Sequence, residues 1–117
     1  MRSINNAVLN AADATQSSQT SGPIDATSVV NASCVGIAVG GTITGTLKFQ
    51  ACNDLPAMNP SGPINWVDCS ESVSVTGAGN FLIPKFDCCY QWLRVVYTKS
   101  SSAAGATITA LVKTNGV

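Results

Sequence analysis

Apolar and polar positions alternate with period two along most of this chain, and they predict strands nearly everywhere. The clearest stretch is 42–52, where Ile43, Leu47, Phe49 and Ala51 share one face and Thr44, Thr46, Lys48 and Gln50 take the other. Successive side chains of a strand point to opposite faces, so this is the signature of a half-buried strand. The last segment, 106–114, repeats it with Ile108, Ala110 and Val112 on one side. Two segments are apolar in both phases. Residues 28–39 are rich in Val, Ile, Ala and Cys, and 89–98 sets Tyr90, Trp92, Arg94 and Val96 against Gln91, Leu93, Val95 and Tyr97. Both predict long strands covered on both faces.

The connections follow from turn chemistry. Gly22-Pro23 marks a turn, and Ile24-Asp25 leads into the first long strand. Gly40-Gly41 predicts a tight hairpin between 28–39 and 42–52. Residues 53–63 hold Asp54, Pro56, Asn59, Pro60, Gly62 and Pro63, a loop composition. Trp66-Val67 opens a short strand, 72–76 forms another, and 77–80 is a turn. Phe81-Leu82-Ile83 is a short strand closed by Pro84, and 100–105 is a small-residue loop. Residues 5–20 are short of large apolar side chains; Ala7, Val8, Ala11 and Ala12 only hint at helical spacing, and the stretch reads as an extended arm or edge strand. Roughly seven or eight strands with Gly- and Pro-containing connections predict an all-β fold: a two-sheet sandwich, jelly-roll-like, with an extended N-terminal arm. The arm or edge strand takes residues 1–22 and the sandwich domain 23–117.

Composition changes the picture from fold to behaviour. The chain has 117 residues, one domain's worth, and is 45% hydrophobic. Charged residues are only 10%, with six basic and six acidic side chains and no net charge, against about 25% charged in ordinary soluble proteins. Ser and Thr carry the polar load instead. A weakly charged, neutral surface has little self-repulsion and is biased toward association.

What is missing excludes several classes. There is no histidine, hence neither the commonest general base nor the commonest zinc ligand. No Ser-x-x-Lys arrangement offers an activated nucleophile. Asp54, Asp68 and Asp87 are scattered, with no calcium-loop spacing and no carboxylate pair singled out for glycoside cleavage. The chain therefore reads as non-enzymatic, with no catalytic, metal or cofactor-binding residue to name and no cofactor expected. No basic cluster tracks phosphates, so nucleic acid is not an expected partner. No run of ~18 apolar residues spans a membrane, and the N-terminus lacks the apolar core of a signal peptide. Synthesis in the cytoplasm without export by that route is expected. Cys34, Cys52, Cys69, Cys88 and Cys89 make an odd set without a CxxC. They read as reduced, buried small hydrophobes; a disulfide formed outside the cell, and a zinc site from Cys69, Cys88 and Cys89, are the alternatives.

An ordered set of motifs carries a resemblance over roughly 28–117. It runs from Leu47-Lys48-Phe49-Gln50-Ala51-Cys52-Asn53-Asp54 through Ile64-Asn65-Trp66-Val67-Asp68 to Val75-Thr76-Gly77-Ala78-Gly79-Asn80-Phe81-Leu82-Ile83-Pro84. It continues into Tyr90-Gln91-Trp92-Leu93-Arg94-Val95-Val96-Tyr97-Thr98 and Gly105-Ala106-Thr107-Ile108-Thr109. Together these resemble small virion structural proteins of tailed bacteriophages, of the head decoration or cement type or from the tail. The Cys88-Cys89 pair departs from that pattern. The resemblance implies a jelly-roll-like domain on a capsid or tail, located in the virion and acting as a symmetric oligomer, with a trimer favoured. Its partners would be the major capsid protein or other virion proteins.

A cement protein seals joints between capsomers, which asks for a compact β core and an arm able to add a strand to a neighbour. Ile4, Val8 and Leu9 of the N-terminal segment, with Trp66, are the expected interface residues. Arg94, mid-strand among apolar neighbours, is expected to pair with Asp68, Glu71 or Asp87 or with loop carbonyls, because a bare charge there is costly. Trp92 and Trp66 are expected as structural aromatics. Trp66, beside the Pro-rich loop, is the better candidate for stacking on a sugar. The second expectation is accordingly a carbohydrate- or receptor-binding module of a phage tail or fibre.

Overall fold

The structure, a computed structural model, describes residues 2–40, 42–55, 57, 61–102 and 104–116. Among these it has ten strands and no helix: β1 (Arg2–Asp13), β2 (Ser18–Thr20), β3 (Ile24–Asp25), β4 (Val29–Val39), β5 (Ile43–Cys52), β6 (Val67–Asp68), β7 (Val73–Thr76), β8 (Gly79–Asp87), β9 (Trp92–Ser102) and β10 (Thr107–Gly116). They form two antiparallel sheets packed as a sandwich. The first has the order β1-β10-β4-β8; the second has the order β2-β9-β5-β6, with β3 joining β9 and β7 joining β5.

The alternation read from the sequence places the core. Ile43, Leu47 and Phe49 of β5, Leu93, Val95 and Tyr97 of β9, and Ile108 and Ala110 of β10 are fully buried between the sheets. Phe49 meets Phe86 of the opposite sheet with ring centroids 5.0 Å apart and tilted by 59°, a favoured aromatic geometry. Tight approach explains two glycines in these strands. A Cβ at Gly36 would sit 2.6 Å from Leu47 Cδ2, and one at Gly45 would sit 2.3 Å from the Thr98 carbonyl oxygen. Bulk at either would push the sheets or the strands apart.

Three local expectations are corrected. Gly40 does not close a hairpin: β4 lies in the first sheet and β5 in the second. Gly40, at φ 99°, turns the chain from one layer to the other, and β4 pairs with β10 and β8 instead. Residues 28–39 are not covered on both faces either. In β4 the buried positions are Ala32, Cys34, Gly36 and Ala38, while Val30, Val35 and Val39 are exposed. The segment 89–98 keeps more of its expected cover, with Val96 buried and Trp92 and Arg94 half-buried on its outer face. Its strand begins at Trp92, and only Leu93, Val95 and Tyr97 face the other sheet; Val96, on the outer face, is shielded within its own sheet, flanked by Lys48 and Thr20. Pro84 does not end a strand: β8 runs on to Asp87, with a register shift opposite Ala32–Cys34. A proline is tolerated there because β8 is an edge strand.

The N-terminal segment takes the edge-strand form. β1 pairs antiparallel with β10 along its length, from Arg2 opposite Gly116 to Asp13 opposite Thr107.

Candidate interaction surface

The strands present two outer faces of opposite chemistry. On the second sheet, lateral rows are polar. Ser18, Thr98, Thr46 and Ser74 lie opposite one another across β2, β9, β5 and β7. Two steps along, beyond Thr20, Val96 and Lys48, Arg94 of β9, Gln50 of β5 and Asp68 of β6 make another row. Arg94 Nε donates to Gln50 Oε1 at 2.8 Å, Gln50 Nε2 donates to Asp68 Oδ1 at 3.0 Å, and Lys48 Nζ reaches Asp68 Oδ2 at 2.9 Å. The Asp68 carboxyl is held below the usual carboxylate range, first by the Gln50 hydrogen bond and then by Lys48.

Arg94 thus pairs with an amide rather than with any of the three expected carboxylates. Asp68 lies one strand beyond Gln50 and is occupied by Lys48. The guanidinium is completed from above by Trp66, its Cζ 4.3 Å from the ring centroid, a cation–π contact.

Trp66 is placed by a clamp that sequence reasoning missed. Asp54, just past β5, is buried. Its carboxylate accepts the backbone N–H groups of Ile64 at 2.9 Å and Asn65 at 3.2 Å, and the Asn65 side-chain amide at 2.7 Å. These bonds, led by that from Ile64, hold its pKa down at about 2. The Asp54 carbonyl accepts from Trp92 Nε1 at 3.2 Å, and Trp66 Nε1 donates to the Pro63 carbonyl at 3.1 Å. Trp92 and Arg94 therefore sit together under one loop. The available signal was an aspartate at the end of a strand, ahead of a Pro- and Gly-rich loop that returns with an asparagine.

The first sheet is different. Ala7 of β1 lies opposite Leu111 of β10, Leu111 opposite Val35 of β4, and Val35 opposite Leu82 of β8. All four are exposed, Val35 at 38%, Leu111 at 42% and Leu82 at 58%. One apolar side chain per strand makes an uninterrupted row across the whole sheet. Thr109, Ile37 and Asn80 border it on one side, and Lys113 and Ser33 on the other.

The expected interface residues scatter. Leu9 is buried in the core, Val8 is half-buried against it, and Trp66 is half-buried over Arg94. Ile4 is exposed at 46%. All five cysteines are free thiols, with Cys34, Cys52 and Cys88 buried; burial pushes the Cys34 thiol up to about 12 and Cys69 up to about 11. No group of three metal-ligating side chains gathers among the described residues.

No protein-family model and no curated protein matches the sequence. Solved structures match the fold. The SPBc2 prophage-derived protein YomS superposes with a TM-score of 0.53 at 12% identity, over 97% of this chain and 92% of that one. PirA superposes with a TM-score of 0.52 at 14% identity, over 96% and 91%. A chitosan-binding module from a Paenibacillus chitosanase/glucanase reaches only 0.40 at 13% identity, over 98% and 94%. At these identities the first two share the fold with this chain, and the third is too distant to bear on it.

Proposed function

We propose that the chain is a non-enzymatic structural protein of a bacteriophage virion, a cement or decoration protein that docks on capsid neighbours through the outer face of its four-stranded sheet. The observation that carries this reading is the exposed row Ala7–Leu111–Val35–Leu82. Contiguous apolar surface on a soluble domain marks a contact site more often than chance, and this one is bordered by hydroxyls and amides able to complete a polar rim. The neutral charge balance fits permanent packing rather than electrostatic capture. The motif pattern in the sequence and a structural neighbour of prophage origin agree with a virion setting. Partners on this reading are the major capsid protein or other virion proteins. The test is reconstitution: particles produced without the chain release their DNA at a lower temperature, and purified chain restores the original temperature. Restoration is expected; particles equally stable with and without the chain overturn the proposal.

A second reading is a binding module for a carbohydrate or receptor, centred on the clamped loop. Leu55, Ile64 and Val67 are 64%, 65% and 67% exposed around Trp66. Titration with oligosaccharides, followed by tryptophan fluorescence, distinguishes it: saturable quenching lost in Trp66→Ala supports this reading, and no response removes it.

A further inference from the structure

The four sheet edges of the sandwich are not equally protected. An unpaired edge offers free N–H and C=O groups to another strand, and proteins normally blunt it with prolines, lysines, bulges or brevity. β8 carries Pro84, Lys85 and a register shift. On one side of the second sheet the edge is broken into β2 and β3, of three and two residues; on the other it is β6 and β7, of two and four. β1 has twelve residues and, among the described residues, pairs with β10 alone.

β1 is itself divided. Beyond Ala7 its register shifts twice, at Ala7/Leu9 and Leu9/Ala12, and Ala11 takes a left-handed φ of 50°. Such bulges bend an edge away from further pairing. From Arg2 to Ala7 the register is regular, with no proline and a single charge, at Arg2. Within this stretch Ile4 is 46% exposed although it lies opposite the buried Thr114 and so faces the inner side. Beside it opens a groove of about 380 Å³ lined by Ile4, Ile24, Val29 and Val112 among others.

We propose that this free edge pairs antiparallel with the same edge of a second copy of the chain, about a two-fold axis at Ile4. Such a pairing keeps inner faces together, so Ile4 stands opposite the partner's Ile4, each beside its groove. Directly opposite residues in an antiparallel pair have Cβ atoms about 5 Å apart, close enough for the two isoleucines to cover each other. Asn5 then faces the partner's Ser3. A second copy fits better than a charged partner because the stretch carries one charge only, at Arg2, and the pairing sets that position opposite the partner's Asn6 rather than the partner's Arg2. The contact is isologous and therefore closed. The remaining edges are blunted, so pairing stops at a dimer with one continuous eight-stranded sheet rather than a fibre. The inference stands on the edge geometry and is tested without virions.

The experiment is the mass of the purified full chain by light scattering in reductant, for the wild type, Ile4→Lys and Leu111→Lys, with thermal unfolding of each as a control for folding. Amide exchange over 3–7 is measured at low and high protein concentration. A wild-type dimer is expected that Leu111→Lys leaves intact and Ile4→Lys converts to monomer, at least tenfold weaker in self-association. Amides in 3–7 become protected as concentration rises. A monomer at all concentrations, a trimer, or a dimer broken by Leu111→Lys and not by Ile4→Lys overturns the proposal. Should Ile4→Lys unfold the chain, the concentration dependence of exchange decides alone: protection confined to 3–7 supports it, and unchanged exchange there overturns it.

Discussion

The two sheets bury equivalent inner faces and differ almost entirely on their outer ones. Across the second sheet run a hydroxyl row, Ser18–Thr98–Thr46–Ser74, and a hydrogen-bonded row, Arg94–Gln50–Asp68. Across the first runs the apolar row Ala7–Leu111–Val35–Leu82. Water solvates the former at no cost, whereas the latter leaves apolar area wet. At about 25 cal/mol per Å², covering a row of that kind favours association, and repetition by symmetry over a shell multiplies the gain. The contrast lies in which outer face leaves large apolar side chains exposed. The few charges do not follow this division: Asp25, Lys48, Asp68, Arg94 and Lys99 lie on strands of the second sheet, and Arg2, Asp13, Lys85, Asp87 and Lys113 on strands of the first.

The largest perturbation removes what both faces rest on. Phe49→Ala takes away a fully buried ring in contact with Phe86 and is expected to cost about 3–5 kcal/mol in denaturant unfolding, loosening both outer faces together. A variant that unfolds like the wild type contradicts a shared core. Next is the clamp that exists on one side only. The Asp54 carboxylate has its pKa depressed in the fold, so its contribution is fully present above about pH 4 and is lost as pH falls toward about 2. Asp13, Asp25 and Asp68, also lowered, act in the same direction. Tryptophan fluorescence is expected to report loosening around Trp66 and Trp92 in that window, and Asp54→Asn is expected to remove the pH dependence of that signal.

Smaller effects dissect the polar row. Gln50→Ala deprives Arg94 Nε of its acceptor and Asp68 of a donor; about 1 kcal/mol is expected from urea unfolding. Lys48→Ala breaks an ion pair whose aspartate is 55% exposed, so only about 0–1 kcal/mol is expected, vanishing in high salt. A larger loss in Lys48→Ala than in Gln50→Ala inverts the view that the amide organises the row.

The inner faces were legible because period-two alternation responds to one thing, the buried side of the sandwich. In β5 it placed Ile43, Leu47, Phe49 and Ala51 correctly. It failed where apolar residues occur in both phases. In β4, Val30, Val35 and Val39 suggested cover on both sides, and the structure leaves them exposed; an apolar residue on an outer face and one buried within the chain look the same in sequence. Pairing was also illegible. Gly40-Gly41 is as good a signal for a turn between layers as for a hairpin, since both need φ above zero at a glycine. The Arg94 partner was missed because charge was matched to charge, while the lateral register put Gln50 beside it. Asp54 was discounted because its partners are mostly backbone N–H groups, which no residue pattern displays.

The central claim is that the first sheet's outer face, and not the second's, meets the virion. The direct measurement is co-sedimentation of purified chain with particles produced without it, comparing Val35→Asp and Leu111→Asp with Thr46→Asp and Thr98→Asp, each checked by thermal unfolding. The account predicts at least tenfold weaker binding for the first pair and wild-type binding for the second. Wild-type binding by Val35→Asp and Leu111→Asp, with loss in Thr46→Asp or Thr98→Asp, would contradict it.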